Sequence, residues 1–139
     1  MINFLRILLM FLCDNCKKKV KESGNIGTLH RNHCPYCLFS KHLDDKKPGD
    51  RESKCHGKME PIALAYKKDG EIMLVHKCEV CADISTNRIS ADDNEEEILN
   101  VFNKSILNNE QERFIQAKSN LRILGKEDET EVRKQLFGI

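Results

Sequence analysis

Residues 28–44 read TLHRNHCPYCLFSKHLD: two cysteines two residues apart, set among three histidines, an arginine and an asparagine. A Cys-x2-Cys pair in such company belongs to a metal knuckle, a redox dithiol or a nucleic-acid finger. Each choice makes a different demand on the rest of the chain.

Cys34 and Cys37 are preceded by a second pair, Cys13 and Cys16, and followed by a third, Cys78 and Cys81, with Cys55 alone between them. Zinc is tetrahedral and takes thiolate or imidazole. A Cys-x2-Cys turn offers it two sulfurs, and two such turns close a four-sulfur site. Cys13, Cys16, Cys34 and Cys37 are expected to form one. The redox reading requires a strand-to-helix placement in a βαβ unit, and no such pattern is visible. Cys55, Cys78 and Cys81 leave one tetrahedral position open, for which histidine is the natural donor. His30, His33, His42, His56 and His76 are the candidates. His56 and His76 are too near another ligand in sequence. His42, on the segment running from Cys37 toward Cys55, is favoured, with His33 the alternative. For each histidine a plain hydrogen-bonding role competes. Two zinc ions per chain follow.

A catalytic zinc keeps three protein ligands and a water beside a carboxylate base, and Asp44, Asp45 and Glu79 are near in sequence. Three thiolates, however, donate heavily to the metal and leave its water a poor acid. A non-enzymatic module is the preferred reading, with a zinc- or thiol-dependent enzyme as an alternative.

The chain has 139 residues, with 40% hydrophobic residues, 6% aromatics and no Trp, so a purely apolar core is thin and metal would supply cohesion. Seven cysteines, an odd number in a lysine-rich chain, point to metal rather than disulfides and to a cytoplasmic setting. Lys and Arg total 23 against 22 Asp and Glu, a formal +1. Seven thiolates outweigh two zinc ions, so metallation moves the chain to the acid side of neutrality. Any attraction for nucleic acid must come from local patches.

MINFLRILLMFLC, at residues 1–13, is apolar but broken by Arg6 and too short to span a bilayer. No small-residue cleavage site follows it. It reads as a first strand feeding Cys13, against the alternatives of an extension upstream of a start at Met10 or a targeting segment. No membrane association is expected.

IALAYKKDGEIMLVHKC gives two β-type runs, Ile62–Tyr66 and Ile72–Val75, joined through Asp69-Gly70 as a hairpin that enters Cys78 directly. ADISTNRIS reads as a returning strand. The period then changes. Asp93 or Asn94 can cap a helix whose first turn holds Glu95, Glu96 and Glu97, with Ile98, Val101, Phe102, Ile106 and Leu107 on one face. A second helix is expected to carry Phe114, Ala117, Leu121 and Leu124 as far as Gly125, and a third lies within ETEVRKQLFGI. The expected organisation is an extension or first strand at 1–10, a zinc domain at 11–94 and an amphipathic helical tail at 95–139. The fold class is small α+β, a β-rich double zinc ribbon followed by helices.

The run Arg31-Asn32-His33-Cys34-Pro35 resembles the signature of the RNHCP domain family. GDR at residues 49–51, CHGKMEPIA at 55–63, HKCEVC at 76–81 and NRISADDN at 87–94 are similar to further blocks of that family in order and spacing. The resemblance covers about residues 11–94. It implies a small zinc-binding domain and no particular reaction. It breaks at Cys81-Ala82, where the family pattern usually has glycine; a left-handed backbone there would strain alanine by roughly 1 kcal/mol.

The polar residues of those blocks have two readings. Asn32, Asn87, Asp92, Asp93 and Asn94 can satisfy turn amides while Arg pairs with Asp across knuckles. Alternatively Arg31, Arg51 and Arg88, with Lys17, Lys18, Lys19 and Lys21, contact phosphate while Tyr36 or Phe39 stacks on a base. The preferred partner is RNA or a ribonucleoprotein such as the ribosome. The alternative is a protein partner or a homodimer through residues 95–139.

Overall fold

The computed structural model describes residues 10–21, 32–45 and 52–138. His30, Arg31, Arg51 and nearly all of the expected 1–10 segment lie outside them.

The hairpin expected at residues 62–75 is longer than its apolar runs. Strands β4 (Lys58–Tyr66) and β5 (Ile72–Cys78) pair antiparallel from Tyr66↔Ile72 to Met59↔Cys78. Lys67 N–H donates to Glu71 O and Gly70 N–H to Lys67 O, and Gly70 alone is left-handed, at φ 89°. The turn is therefore the three-residue kind that ends on a left-handed glycine. Pro61 has no N–H to give, and the register shifts between Pro61 and Ala63, so β4 bulges where a proline can be housed.

Strand β6 (Ile84–Arg88) pairs with β5 as the expected returning strand. The other edge of β4 is shared. Strand β3 (Ser40–Lys41) pairs with its first residues, Lys58 and Met59, and β7 (Arg122–Ile123) with its last, Ala65 and Tyr66. A second, smaller sheet joins β1 (Met10–Leu12) to β2 (Lys19–Lys21) around the first knuckle.

Helix α1 (Glu95–Ser105) starts at Asn94, whose side chain accepts from the amides of Glu96 and Glu97. Its Ile98, Val101 and Phe102 pack with Leu64, Ile72 and Leu74 of the sheet and with Leu38 of the second knuckle. Burying each of the larger side chains contributes about 2 kcal/mol. Helix α2 (Asn109–Lys118) is capped by Asn108 and buries Ile115 against Ile62, Ala63, Ala65 and Val75. Helix α3 (Glu129–Phe137) places Val132 in the main core and ends on left-handed Gly138.

The helical period misleads in two places. The second helix was expected to reach Leu124 but stops at Lys118, and β7 begins at Arg122. Ser119 is extended, and the free edge of β4 offers backbone partners, among them Leu64 O, which accepts from Leu124 N–H. Its buried residue is Ile115; Ala117 is exposed and Phe114 half-buried, with the ammonium groups of Lys77 and Lys118 at 4.2 Å and 5.2 Å from its ring centre. Leu107, placed by periodicity on the apolar face of the first helix, is 84% exposed because that helix ends at Ser105. The apolar helix faces pack onto the sheet. The fold is α+β, with curled antiparallel sheets, two cysteine clusters and a C-terminal helical region.

Candidate metal centres

The three Cys-x2-Cys turns share one backbone scheme. The first cysteine of each donates its N–H to the carbonyl five residues on: Lys18 at 2.9 Å, Phe39 at 2.8 Å and Asp83 at 2.9 Å. Its own carbonyl accepts from the residue after the second cysteine, which is Lys17, Leu38 or Ala82. Closing that ring puts the residue in the left-handed region, at φ 66°, 67° and 64° respectively. His56, directly after Cys55, is also left-handed, at φ 53°. No other non-glycine among the described residues has positive φ. Each such residue costs about 1 kcal/mol or more, so four of them at four cysteines need a compensating bond. The strain expected at Ala82 is present at its φ.

The turns bring their sulfurs together. Cys13, Cys16, Cys34 and Cys37 form one group and His42, Cys55, Cys78 and Cys81 another, with the donor atoms of each group all within 4.8 Å of one another. Sulfur pairs stand at 3.5 Å (Cys13 with Cys37), 3.6 Å (Cys16 with Cys34) and 3.6 Å (Cys55 with Cys78). A tetrahedron with zinc–sulfur bonds of about 2.3 Å has sulfurs about 3.8 Å apart. His42 Nδ1 is 3.3 Å from Cys81 Sγ, against about 3.6 Å for a zinc tetrahedron that mixes nitrogen and sulfur. Both groups fit zinc in donor type and in size, and each could hold one ion.

Electrostatics point the same way. Burial drives the Cys34 thiol far above its ordinary value and raises Cys37, and the neighbouring sulfurs push both up further. Cys81, although an exposed residue, is raised to about 11 by the local desolvation of its sulfur within the cluster and by the sulfurs of Cys78 and Cys55. Burial also pushes Cys78 upward, but the amides of Cys81 and Val80 and the crowded donors outweigh it and bring the thiol down to about 7. Four sulfurs cannot all become anions side by side unless a cation lies between them, and a dication removes that conflict.

The histidines divide sharply. His42 Nδ1 faces the second cluster while its Nε2 lies 3.7 Å from Asp83 Oδ2, a carboxylate placed to orient the ring. His33, the alternative, is not in that cluster. Its Nε2 is 2.8 Å from Asp93 Oδ2, and both side chains are buried. Asp93 also accepts from Ser90 N–H, and Asn94 N–H donates to Pro35 O, so the second knuckle is tied to the start of α1. His76, fully buried, is 2.6 Å from Leu38 O through Nε2 and 2.9 Å from Asn87 Nδ2 through Nδ1. Those partners require a neutral ring with its proton on Nε2, and burial, aided by His33, holds its pKa down at about 3.

Among the described residues the expected cationic surface is only partly assembled. Lys18 Nζ lies 4.5 Å from the centre of the Tyr36 ring, which is 49% exposed. Lys17 Nζ donates to Asp14 O in the neighbouring turn, and Lys19 begins β2. Arg88 is elsewhere. It pairs with Met73 in register, five residues from Cys78 along β5, or about 17 Å, and its guanidinium is held by Glu71 at 2.8 Å. A residue the sequence did not single out is Lys58, which reaches Asn15 Oδ1 at 3.5 Å, Glu79 Oε2 at 3.8 Å and the Phe39 ring at 5.4 Å. It spans the two centres, and only its place after Gly57 in CHGK could have hinted at that. Asn32, whose Nδ2 donates to Asp44 Oδ2 at 2.7 Å, is architectural in the same way.

Among the described residues no helix is long and apolar enough to cross a membrane. No curated protein and no solved structure was found to match the chain. The RNHCP domain model matches residues 9–99, which spans both cysteine clusters and the turn from Asp93 into α1, and the chain belongs to the RNHCP domain family.

Proposed function

We propose that the protein is a non-enzymatic two-zinc module that binds RNA or a ribonucleoprotein. Cys13, Cys16, Cys34 and Cys37 hold one ion, and His42, Cys55, Cys78 and Cys81 the other. Four donors fill each tetrahedron, which supports a role for the metals in holding loops rather than in activating water. The observation that carries the RNA reading is the pairing of Lys18 with the half-exposed Tyr36 ring at the tip of the second knuckle. An aromatic face beside an ammonium group suits a base and its phosphate together. Lys17 and Lys19 adjoin Lys18 in sequence, whereas Arg88, held by Glu71, takes no part. The scaffold alternative through residues 95–139 is weakened because Ile98, Val101, Phe102, Ile115 and Val132 are spent on the internal core.

The test is binding of the zinc-loaded protein to labelled single-stranded RNA over a salt series. Affinity should fall with salt by about one unit of log–log slope for every one to two phosphates contacted. Tyr36→Ala combined with Lys18→Ala should weaken binding while leaving zinc content and fold intact. RNA binding that ignores both substitutions would sink this surface. Native partners that survive nuclease and high salt would favour the scaffold.

A further inference from the structure

The two centres differ in how far they are open to solvent. In the first, Cys13 is 3% and Cys34 0% exposed, and Cys16 and Cys37 are half-buried. In the second, Cys78 is 1% exposed, but Cys81 lies open and its neighbour in the turn, Val80, is 73% exposed. Metal-bound thiolate remains nucleophilic, and access decides which sulfur an oxidant reaches first. A second thiolate then determines whether the first oxidation product is captured as a disulfide.

We propose that Cys81 is an oxidation site at which peroxide opens the second zinc centre and leaves the first intact. The proposal rests on the ligand sets given above. The Cys81 sulfur attacks one oxygen of hydrogen peroxide, the O–O bond breaks, and hydroxide departs and is protonated to water by the buffer acid. The Cys78 sulfur, within 4.8 Å in the same cluster, attacks the resulting sulfenic sulfur. An S–S bond forms and the second oxygen leaves as hydroxide, which is protonated in turn. Two electrons pass from the two sulfurs to the peroxide. Zinc, left with His42 and Cys55 alone, is released. The turn is already closed by the bond from Ala82 N–H to Cys78 O, at 3.0 Å, so the two cysteines need little movement to join.

The experiment starts from protein purified without added metal, with zinc measured by elemental analysis. Two ions per chain are expected; fewer would overturn the ligand reading and this proposal with it. Hydrogen peroxide is then added in the presence of a metallochromic chelator, and disulfides are mapped by mass spectrometry as zinc appears. One equivalent of zinc should leave in a fast phase, accompanied by loss of two thiols and a Cys78–Cys81 link, and a thiol reductant with zinc should restore the start. Simultaneous loss of both ions, first oxidation within Cys13, Cys16, Cys34 and Cys37, or an unmodified Cys81 at the end of the fast phase would each overturn it. Cys81→His keeps a fourth donor without an oxidisable sulfur and should abolish the fast phase; a fast phase that persists in this variant counts against Cys81. If the variant fails to retain zinc, the order of events in the unaltered chain decides.

Discussion

His33 and Asp93, sixty residues apart, meet through a 2.8 Å contact between two buried side chains. The contact fastens the second zinc knuckle to the loop that starts α1, so the histidine of the family signature is a brace. Removing either partner leaves the other buried without its bond, a loss of about 1–3 kcal/mol. His33→Ala and Asp93→Ala should each lower the unfolding free energy by that amount in chemical denaturation while elemental analysis still finds two zinc ions. A loss of one ion in His33→Ala would make it a ligand after all.

His42→Ala should behave in the opposite way. It leaves the second group with three sulfurs, so zinc content should fall toward one ion per chain, or the second ion should transfer to a competing chelator much sooner. Asp83→Asn should do the same more weakly, by roughly 10-fold in affinity, since outer carboxylates tune metal ligands at that level.

Gly57 faces the second centre. A Cβ built there would meet Cys78 Sγ at 2.7 Å and Val80 Cγ2 at 2.8 Å. Val80 Cγ2 is exposed and can turn away, but Val80 Cβ at 3.0 Å cannot rotate clear, and Cys78 Sγ is crowded by the other donors of its cluster. Gly57→Ala should therefore cost zinc at the second centre and leave the first unaffected, as read by one equivalent of easily chelated metal.

Ala82 is held at φ 64°. Ala82→Gly relieves that backbone and should raise stability by roughly 1 kcal/mol in chemical denaturation, with zinc content unchanged. A loss of stability would mean that the methyl group packs better than the backbone is strained.

Chelation should unfold more than the loops. Leu38, directly after Cys37, is 0% exposed and shares the main core with Phe102 and Leu64. Withdrawal of zinc from the first centre releases a core residue, so helical circular dichroism and protease resistance should fall together. A truncation after Asn94 should fail to fold even with zinc present, because Ile98, Val101 and Phe102 would be missing from the sheet face.

The parts of this structure that are local in sequence were legible from it. Cys-x2-Cys spacing, the Asp69-Gly70 turn, the Asn94 cap and the change of period after Asp92 each act within a few residues. What periodicity missed was long-range. Leu121–Leu124 has a helical pattern, yet the vacant edge of β4 took it as a strand. Leu107 fits the apolar stripe, yet Ser105 ends the helix before the stripe can use it. The signature histidine has ligand chemistry, and only the arrival of Asp93 from sixty residues away assigns it another use. Arg88 looked free for phosphate because Glu71, its partner across the β5–β6 pair, is invisible to spacing rules.

All eight donors lie at or before Cys81, whereas the main core needs Leu124 and Val132. A chain made from its N-terminus therefore exposes every metal-binding side chain before it can bury its apolar face. Each zinc group can form on the nascent segment, and the sheet face then waits uncovered until the last helix emerges. The order of the chain thus lets zinc meet its donors on the growing segment, ahead of the core that covers them.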